Sequence, residues 1–340
     1  MAIPVTTILE NYSLFTNQEI RRIIESRNKT GHLEDMMMYH LGWLDEKLKP
    51  CNTKGGKQLR STICLLACEA IDGSFEKALP GAAAVELVHN FSLIHDDIED
   101  GDDTRRHRPT IWKLWGIPQA INTGDAMDVF SYMAIMELKL NPEALIPIMN
   151  VFNDMIMQLC EGQYLDMKFQ TIKNVTVDEY LKMISGKTAA LMEASASIGA
   201  MTATDDLNII KHFKAFGYKI GMGFQIQDDI LGIWGDPQKT GKSARNDIKN
   251  MKKTLPVLYA LQYSQRKEEL QKLYGKKKLF DSDIDRVFNI LTETGAYEYT
   301  VKAAHQYQDE ALAELNGLYP GSRAMEDLTA IGRFLVDRNY

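Results

Sequence analysis

The chain has 340 residues, of which 45% are apolar and 25% are charged, as is usual for a globular protein that buries a core. Its 39 Lys and Arg residues against 46 Asp and Glu residues give a net charge of −7. That sign argues against a nucleic-acid partner, because proteins that bind phosphate backbones present basic surfaces.

The hydrophobic pattern is helical along almost the whole chain. In 57–71 and 85–98, apolar residues recur three and four positions apart, whereas strand-like alternation is scarce. No low-complexity linker divides the sequence, so we predict one all-α domain over residues 1–340, with residues 1–30 as a peripheral N-terminal segment. To within about 2–4 residues, helices are predicted over 31–48, 57–72, 79–101, 118–139, 143–170, 176–201, 205–233, 251–263, 282–294 and 296–316.

Three of the predicted helical stretches lack a broad polar face. Residues 82–100 and 213–231 are apolar on most sides, and residues 188–203 are rich in small side chains. Helices of this kind lie in the middle of a bundle, where bundles build ligand and metal sites from inward-facing side chains. We therefore expect a helical bundle with a central active-site cavity.

The termini and the cysteines favour a cytoplasmic location. The start MAIPVTTILENYSLF lacks the basic residues and apolar core of a signal peptide, and no uncharged apolar run could span a membrane. The four cysteines fit neither a zinc site nor a disulfide framework, so we expect reduced thiols and no stable membrane insertion. They are Cys51, Cys64, Cys68 and Cys160.

A first acidic cluster, Leu93-Ile94-His95-Asp96-Asp97-Ile98-Glu99-Asp100, ends one of the apolar helices. On an ideal helix Asp97 lies about 100° and Asp100 about 40° from Asp96, so three carboxylates fan over one side. Such crowding favours proton uptake unless a cation is bound. Carboxylates with room for water and substrate phosphates suit Mg²⁺. A solvated helix end is the alternative, which the apolar approach to the cluster disfavours.

A second cluster, Phe224-Gln225-Ile226-Gln227-Asp228-Asp229-Ile230-Leu231, repeats the arrangement. Gln225 lies on the face of the aspartate pair, about 60° from Asp228 and one turn earlier. Two Asp-Asp pairs, each ending an apolar helix, indicate two facing carboxylate walls around a polyphosphate.

The segment Gly235-Asp236-Pro237-Gln238-Lys239-Thr240-Gly241-Lys242-Ser243 resembles a Walker A loop. However, it has five residues between the glycines where that loop has four. It also follows a helical pattern rather than a strand, so a P-loop nucleotidase is disfavoured.

Basic residues bracket both acidic clusters. Lys57 and Arg60 follow Gly55-Gly56 and share one face of the next helix. Each basic residue alone is more simply a surface charge, but their common placement favours diphosphate binding. The others are Arg105, Arg106, Lys187, Lys242 and Lys252.

In this order, the motifs resemble those of trans-isoprenyl diphosphate synthases, the group of the geranylgeranyl and farnesyl diphosphate synthases, over about residues 35–265. Gly55-Gly56-Lys57-Gln58-Leu59-Arg60 is similar to the family's GGKRxRP. Residues 86–106, from Glu86-Leu87-Val88-His89 to Arg105-Arg106, match the first aspartate-rich motif. The remaining matches are Gly186-Lys187-Thr188, the second aspartate-rich motif at 224–229, and then Lys242, Asn246-Asp247 and Lys252.

The resemblance implies a single-domain bundle of the isoprenoid synthase type and a homodimeric prenyltransferase. Such an enzyme condenses isopentenyl diphosphate with an allylic diphosphate by ionisation, condensation and proton elimination, with roughly three Mg²⁺ ions bound beside the substrate. The residue roles it implies are as follows. Isopentenyl diphosphate would be held by Lys57, Arg60, His89 and Arg106. Magnesium would be bound by Asp96, Asp97 and Asp100, with Asp228 opposite and Asp229 in support. The allylic diphosphate would contact Arg105, Lys187, Lys242 and Lys252, and its cation would be stabilised by Thr188 and Gln225.

The chain departs from the family pattern at several positions. Gln58 and Ser61 differ from the first block, and His107 stands where many members have glycine. Gly232 replaces the third aspartate of the second motif, so metal binding there should depend mainly on Asp228, with Asp236 as a partial substitute.

The resemblance also bears on product length. Phe91 lies five residues before Asp96, as in archaeal-type geranylgeranyl diphosphate synthases, where a bulky residue forms the floor of the tunnel. On an ideal helix Ser92 lies nearer than Phe91 to the carboxylate face, so the role of Phe91 comes from the resemblance alone. We predict geranylgeranyl diphosphate as the product, with farnesyl diphosphate as the alternative.

Three other functions fit the same fold. A class I terpene cyclase would ionise one allylic diphosphate and would not need Lys57, Arg60, His89 and Arg106. An irregular prenyl-coupling enzyme would join the isoprene units in a different way. A silent modulating subunit is disfavoured by the two intact aspartate pairs.

Overall fold

A computed structural model describes residues 3–27, 31–51, 53, 56–172, 174–236 and 245–337. Almost every regular element in it is a helix, which confirms the all-α prediction. The helices are α1 (Val5–Glu25), α2 (Leu33–His40), α3 (Leu59–Asp72), α4 (Leu79–Glu99), α5 (Ile111–Trp115), α6 (Ile117–Ile135), α7 (Pro142–Thr171), α8 (Val177–Ile184), α9 (Ala190–Ala203), α10 (Leu207–Trp234), α11 (Asn246–Lys249), α12 (Leu255–Tyr263), α13 (Lys267–Tyr274), α14 (Asp281–Glu293), α15 (Ala296–Leu315) and α16 (Arg323–Asp337).

Three short elements complete the described part of the chain. A 3₁₀ turn, Glu76–Ala78, precedes α4, and a π-helical segment, Ser185–Ala189, joins α8 to α9. Strands β1 (Thr104–Arg105) and β2 (Arg108–Pro109) form an antiparallel hairpin directly after α4.

The helix predicted over 31–48 is wrong in its second half, because α2 ends at His40. Gly42 has a φ of 87°. The backbone N–H of Trp43 donates to the carbonyl of Met38, at 2.9 Å. A left-handed glycine with this hydrogen bond is a common helix terminator.

The described chain divides into two compact units, of which the first comprises residues 1–152, 194–210 and 319–327. Within it α4 packs chiefly against α6 and also against α1 and α3. Val85, Leu87 and Val88 on α4 are fully buried. Each such side chain contributes about 1.5–3 kcal/mol through the hydrophobic effect. The segment that we expected to be peripheral contains α1, in which Ile20 and Ile23 are fully buried.

The second unit comprises residues 153–193, 211–318 and 328–340. One apolar cluster in it runs from the end of α10 to the start of α15, and includes Ile233, Ile248, Val257, Leu270 and Ile290. This cluster fixes the short helix α11 beneath the end of α10. That one domain spans residues 1–340 stays a prediction.

None of the described helices is both long enough and apolar enough to cross a bilayer.

Candidate active site

The first aspartate motif lies at the C-terminal end of α4. Asp97 is 2% exposed, and its Oδ1 accepts a 2.6 Å hydrogen bond from Nε of Arg105. Asp96 is partly exposed and accepts from Nη2 of Arg105 at 3.4 Å, whereas Asp100 is exposed. The three carboxylates therefore have different surroundings, with Asp97 turned inward and Asp96 and Asp100 open to solvent.

The pKa of Asp97 is raised, in the direction that the crowded motif predicts. Burial is the main cause of a pKa of about 6, the charges of Asp96 and Asp102 contribute to the rise, and Arg105 opposes it. The largest cause is burial rather than crowding, so Arg105 is what keeps this carboxylate within reach of ionisation.

Arg105 and Arg106 are presented by the hairpin β1–β2. Arg106 and His107 form its two-residue turn, with φ values of 53° and 63°. Two successive positive φ angles are the geometry of a type I′ turn, which glycine and asparagine adopt most readily. His107 is exposed at the second turn position. Its place in the turn explains why a glycine suits this position.

Arg108, which the sequence did not single out, fixes the hairpin to α2. Its Nη1 donates to the carbonyl of Tyr39 at 3.0 Å and to Oγ1 of Thr53 at 3.2 Å. Its guanidinium lies 4.0 Å from the centre of the Tyr39 ring. The Tyr39 hydroxyl in turn donates to the carbonyl of Pro109 at 2.7 Å. Arg105 and Arg106 are thus carried on a hairpin that is anchored to α2.

Arg60 and His89, two of the residues expected to hold isopentenyl diphosphate, lie together. Nη1 of Arg60 is 3.2 Å from Nε2 of His89. Burial and the positive charges of Arg60 and Arg106 hold the pKa of His89 well below 6.5. His89 is therefore neutral at pH 7, and its Nε2 can accept the hydrogen bond from Arg60.

Gly56 lets Arg106 approach the loop before α3. A Cβ added at Gly56 would lie 2.7 Å from Nη2 of Arg106. Lys57 follows and is exposed. Gly55 lies outside the described residues.

Gln58 and Ser61, the two departures in the first block, hydrogen-bond to other protein groups. Nε2 of Gln58 donates to Oδ1 of Asn17 on α1 at 2.6 Å. The hydroxyl of Ser61 donates to the carbonyl of Gln58 at 3.0 Å and lies 3.3 Å from Oε2 of Glu86. Glu86 is buried, which raises its pKa, and the charges of Arg60 and Arg106 oppose that shift. Glu86 is thus a buried carboxyl group close to both arginines, a position that the sequence did not reveal.

Phe91 is buried on α4 near the motif. It is 9% exposed, and its ring centre lies 5.9 Å from that of His95. His95 in turn lies against Gly124 of α6, where an added Cβ would approach Nε2 of His95 to 2.2 Å. The hydroxyl of Ser92 donates to the carbonyl of His89 at 2.8 Å.

In the second unit, the π-helical segment Ser185–Ala189 carries Lys187 and Thr188. Nζ of Lys187 donates to Oδ2 of Asp166 on α7 at 2.5 Å. A Cβ added at Gly162 would lie 2.1 Å from the backbone nitrogen of Lys187, so the two backbones are in direct contact. A π-helical turn inside a helix is frequent at functional sites. Asp166 was not among the site residues predicted from the sequence.

Thr188 and the second aspartate motif are joined by hydrogen bonds. The Thr188 hydroxyl donates to Oε1 of Gln225 at 2.7 Å, and Nε2 of Gln225 donates to Oδ1 of Asp229 at 3.4 Å. Oδ2 of Asp229 accepts from the Tyr180 hydroxyl at 2.5 Å and from the backbone N–H of Leu255 at 2.9 Å. Thr188 and Gln225 are therefore held in fixed orientations.

Asp228 and Asp229 differ in exposure. Asp229 is 4% exposed, and burial raises its pKa to about 7, with the charge of Asp247 adding to the shift. The hydrogen bonds from Tyr180 and Leu255 oppose it. Asp228 is only partly buried. Both carboxylate oxygens of Asp229 thus accept hydrogen bonds from protein groups, whereas Asp228 lies closer to solvent.

Gly232 lies against Asp247 rather than Asp236. A Cβ added at Gly232 would lie 2.0 Å from Oδ2 of Asp247. Asp236 instead lines a cavity of about 380 Å³ together with Trp234 and His305. The spatial neighbour of the missing third aspartate is therefore Asp247.

The basic residues that follow the second motif have separate environments. Lys252 is exposed. Nζ of the adjacent Lys253 donates to the carbonyl of Phe169 at 2.5 Å and also to that of Ile172, and so caps the end of α7. Lys242 lies outside the described residues.

Comparison with known proteins decides the family. The sequence matches the Polyprenyl synthetase family over residues 42–291. The chain belongs to this family. It is 37% identical to a geranylgeranyl diphosphate synthase of Mycobacterium tuberculosis, over 94% of this chain and 90% of that one. It is 34% identical to a (2E,6E)-farnesyl diphosphate synthase of the same organism, over 90% of this chain and 86% of that one.

Solved structures agree with this membership. A geranylgeranyl pyrophosphate synthetase from Pyrococcus horikoshii superposes with a TM-score of 0.89 at 33% identity, over 98% of each chain. A polyprenyl synthetase from Streptomyces coelicolor superposes with a TM-score of 0.90 at 33% identity, over 98% of this chain and 100% of that one. The predicted isoprenoid synthase fold and the predicted trans-prenyltransferase activity are thereby confirmed for this member of the polyprenyl synthetase family.

The donor set of this polyprenyl synthetase suits magnesium. Asp96, Asp100 and Asp228 present carboxylate oxygens that are at least partly open to solvent. Among the described residues, no three His, Cys, Asp or Glu side chains gather into a metal cage. Magnesium is commonly bound in the open way that these side chains allow, through one or two carboxylates plus substrate phosphates and water.

Proposed function

We propose that this polyprenyl synthetase condenses isopentenyl diphosphate with allylic diphosphates and releases geranylgeranyl diphosphate as its main product. The observation that carries the proposal is the group formed by Arg60, His89 and Arg106. It places neighbouring cations and a neutral imidazole together within one unit of the chain. A cyclase, which ionises a single diphosphate, has no use for such a second anion site.

The isopentenyl diphosphate site that we propose consists of Lys57, Arg60, His89 and Arg106. Arginine guanidinium groups suit phosphate oxygens because they donate two hydrogen bonds in a fixed plane. Neutral His89 orients Arg60 without adding to its charge. Lys57, which is exposed, adds a further positive charge.

We propose that Asp96, Asp97, Asp100 and Asp228 hold roughly three Mg²⁺ ions together with the allylic diphosphate, with Asp229 in support. Bound magnesium disperses the negative charge of the departing diphosphate. Asp229 keeps Gln225 in place through its Oδ1. The remaining negative charge of the leaving diphosphate is neutralised by four basic residues, namely Arg105, Lys187, Lys242 and Lys252.

The allylic cation left by ionisation needs electron-rich neighbours that cannot react with it. The hydrogen bond from Thr188 to Gln225 directs the hydroxyl proton toward the amide oxygen, which leaves the lone pairs of the hydroxyl facing elsewhere. Attack by the double bond of isopentenyl diphosphate then extends the chain, and a proton passes to the departed diphosphate. Water must be excluded meanwhile, since it would trap the cation.

In this proposal, Phe91 limits the length of the product, and Ser92 lies beside it in the sequence. The relatives include synthases named for both the farnesyl and the geranylgeranyl products. The buried ring of Phe91, packed edge to face on His95, is bulky enough to stop a growing chain. We therefore favour the geranylgeranyl product, with farnesyl diphosphate as the alternative.

We further propose a homodimer. On α6, Ile117, Ile121 and Val129 are 48%, 43% and 53% exposed, and exposed Asp125 lies between them on the same side of the helix. Large exposed apolar side chains grouped on one helix are common on a face that another protein surface covers. A second copy of the chain is the partner that we propose.

The product assay tests the proposed function. The pure protein is incubated with Mg²⁺, isopentenyl diphosphate and each of dimethylallyl, geranyl and farnesyl diphosphate, and the dephosphorylated products are separated by chain length. We expect linear products up to geranylgeraniol, formed only when both substrates are present. A cyclic hydrocarbon from an allylic substrate alone would overturn the proposal in favour of a cyclase.

A further inference from the structure

Gln58, which lies between Lys57 and the start of α3, has a strained backbone. Its φ and ψ are 46° and 44°, in the left-handed region. Glycine adopts that region freely, whereas a residue with a Cβ adopts it at a cost. A strained residue persists only where its surroundings fix it, and such residues cluster at ligand-binding sites. The contacts of Gln58 therefore determine how the chain enters α3.

Two kinds of contact fix Gln58. Its carbonyl accepts hydrogen bonds from the hydroxyls of Ser61 at 3.0 Å and Thr62 at 2.9 Å. Gln58 is 7% exposed, and its Nε2 donates to Oδ1 of Asn17 on α1 at 2.6 Å. The carbonyl contacts lie within the first turn of α3, so they connect Gln58 to no other helix. The bond to Asn17 does.

The side chain of Gln58 is unfavourable in a second way. Its Oε1 is buried and has no hydrogen-bond partner in the part of the chain that the structure describes, which costs free energy. Glycine at this position would remove both the backbone strain and the unsatisfied oxygen. A side chain that is unfavourable in two ways is expected where it fixes the position of functional neighbours.

Asn17 lies on a helix that is itself fixed. On α1, Ile20 and Ile23 are fully buried. The Tyr12 hydroxyl, on the same helix, donates to Oε2 of Glu69 on α3 at 2.6 Å. Because α1 is held both by its apolar side chains and by this bond to α3, Asn17 presents its amide oxygen from a fixed position.

The segment that Gln58 ends contacts the turn that carries Arg106. A Cβ added at Gly56 would lie 2.7 Å from Nη2 of Arg106. Lys57 follows Gly56, and Arg60 lies in the first turn of α3, on the other side of Gln58. Since the backbone angles of Gln58 lie between them, these angles set where Lys57 stands relative to Arg60.

We propose that Asn17 is a positioning residue for the isopentenyl diphosphate site. Its amide oxygen holds Gln58 in the strained conformation, and that conformation keeps Lys57 at the distance from Arg60 that one diphosphate requires. The inference rests on the proposed function, since it assigns α1 to the isopentenyl diphosphate site of that reaction. The segment that we expected to be peripheral then contributes to substrate affinity without touching the substrate.

The first experiment replaces Asn17 by alanine. The KM for isopentenyl diphosphate and the KM for dimethylallyl diphosphate are measured separately at saturating Mg²⁺, together with kcat and the melting temperature. We expect Asn17→Ala to raise the KM for isopentenyl diphosphate by about three- to tenfold, as the loss of one hydrogen bond gives. The kcat and the KM for the allylic substrate should stay close to their original values. Asn17→Asp keeps an accepting oxygen and should restore the original KM for isopentenyl diphosphate.

The matched control is Tyr12→Phe. It removes the hydroxyl that bonds Glu69, a polar contact between the same two helices, and leaves Gln58 untouched. It should lower the melting temperature without altering the KM for isopentenyl diphosphate. If Asn17→Ala gave the same pattern, with lower stability and an unchanged KM, Asn17 would be a structural residue and the inference would be overturned.

Gln58→Gly tests the link from its other end. Glycine adopts the left-handed conformation without strain, but it lacks the amide that bonds Asn17. We expect this variant to raise the KM for isopentenyl diphosphate, and the double variant with Asn17→Ala to raise it no further, because both substitutions break one bond. Additive effects would contradict the inference. A protein that condenses no substrates would refute the proposed function, whereas an active Asn17→Ala variant with an unchanged KM would refute this inference alone.

Discussion

The hydroxyl of Tyr180 and the backbone N–H of Leu255 both donate to Oδ2 of Asp229, at 2.5 and 2.9 Å. Asp228 and Asp229, which are adjacent on α10, therefore have different roles, although their positions on an ideal helix alone would not distinguish them. Asp229 ties α8 and the start of α12 to α10, and Asp228 is left nearer to solvent.

Alanine at each of these two positions should give opposite phenotypes. Asp229→Ala leaves a buried hydroxyl and a buried N–H without their acceptor, and should lower the free energy of unfolding by about 2–4 kcal/mol. Asp228→Ala should lower it much less but reduce kcat/KM by about a hundredfold or more, because a carboxylate proposed to hold Mg²⁺ at the leaving diphosphate is lost. Urea unfolding and condensation kinetics measure the two effects. Equal destabilisation by both substitutions would contradict the division of roles.

Gly162→Ala should displace the backbone of Lys187. The added Cβ would lie 2.1 Å from the Lys187 nitrogen, and backbone cannot rotate away as a side chain can. We expect a loss of about 1–3 kcal/mol in stability and a fall in kcat, since Lys187 and Thr188 shift together. The control is Gly275→Ala, whose nearest contact would be a tolerable 3.3 Å from the carbonyl of Gln271. An active, stable Gly162→Ala variant would show that the contact of α7 with the π-helical segment is dispensable.

His40, at the end of α2, should make the protein less stable in mild acid. Burial and the charges of Arg106, Arg105 and Arg108 hold its pKa well below the ordinary 6.5. Below pH 6.5 the unfolded chain then binds more protons than the folded one, so stability falls as the pH drops through that value. His40→Gln should reduce the fall in the urea midpoint between about pH 7.5 and about pH 5.5. His89 keeps part of the effect, for the same reason. An unchanged pH dependence in the variant would show that His40 does not titrate as described.

Phe91→Ala should lengthen the product. Removing a buried ring from α4 opens space beyond the first aspartate motif, which an extending chain can enter. Chromatography of the dephosphorylated products measures the change. The control is Phe152→Ala, which removes a fully buried ring on α7, whose centre lies 5.3 Å from that of the Tyr132 ring. It should cost stability without changing chain length. If Phe91→Ala kept the original product, the ring would not be the floor.

Periodicity and local spacing were enough to predict the helices that carry the motifs. The apolar stretch ending at Asp96-Asp97 is α4, which runs from Leu79 to Glu99, close to the predicted 79–101. The stretch ending at Asp228-Asp229 is α10, Leu207–Trp234, close to the predicted 205–233. Both signals are local, since three- and four-residue recurrence is set by the helix itself.

Contacts between distant segments could not be read in the same way. The pairing of Lys187 with Asp166, and of Gly232 with Asp247, depends on how separate helices pack. The hairpin at Arg106 and His107 was also missed, because neither residue is one that usually marks such a turn. The spacing predicted that Asp228 and Asp229 lie side by side. It could not show that Tyr180 and Leu255 both donate hydrogen bonds to Asp229.

The most direct test of the central claim is a crystal structure of the protein with Mn²⁺ and an allylic thiodiphosphate, with the ions located by anomalous scattering. The account predicts one diphosphate whose bound ions contact both Asp96 and Asp228. A diphosphate bound through ions at only one of the two motifs, with the other facing bulk solvent, would contradict it.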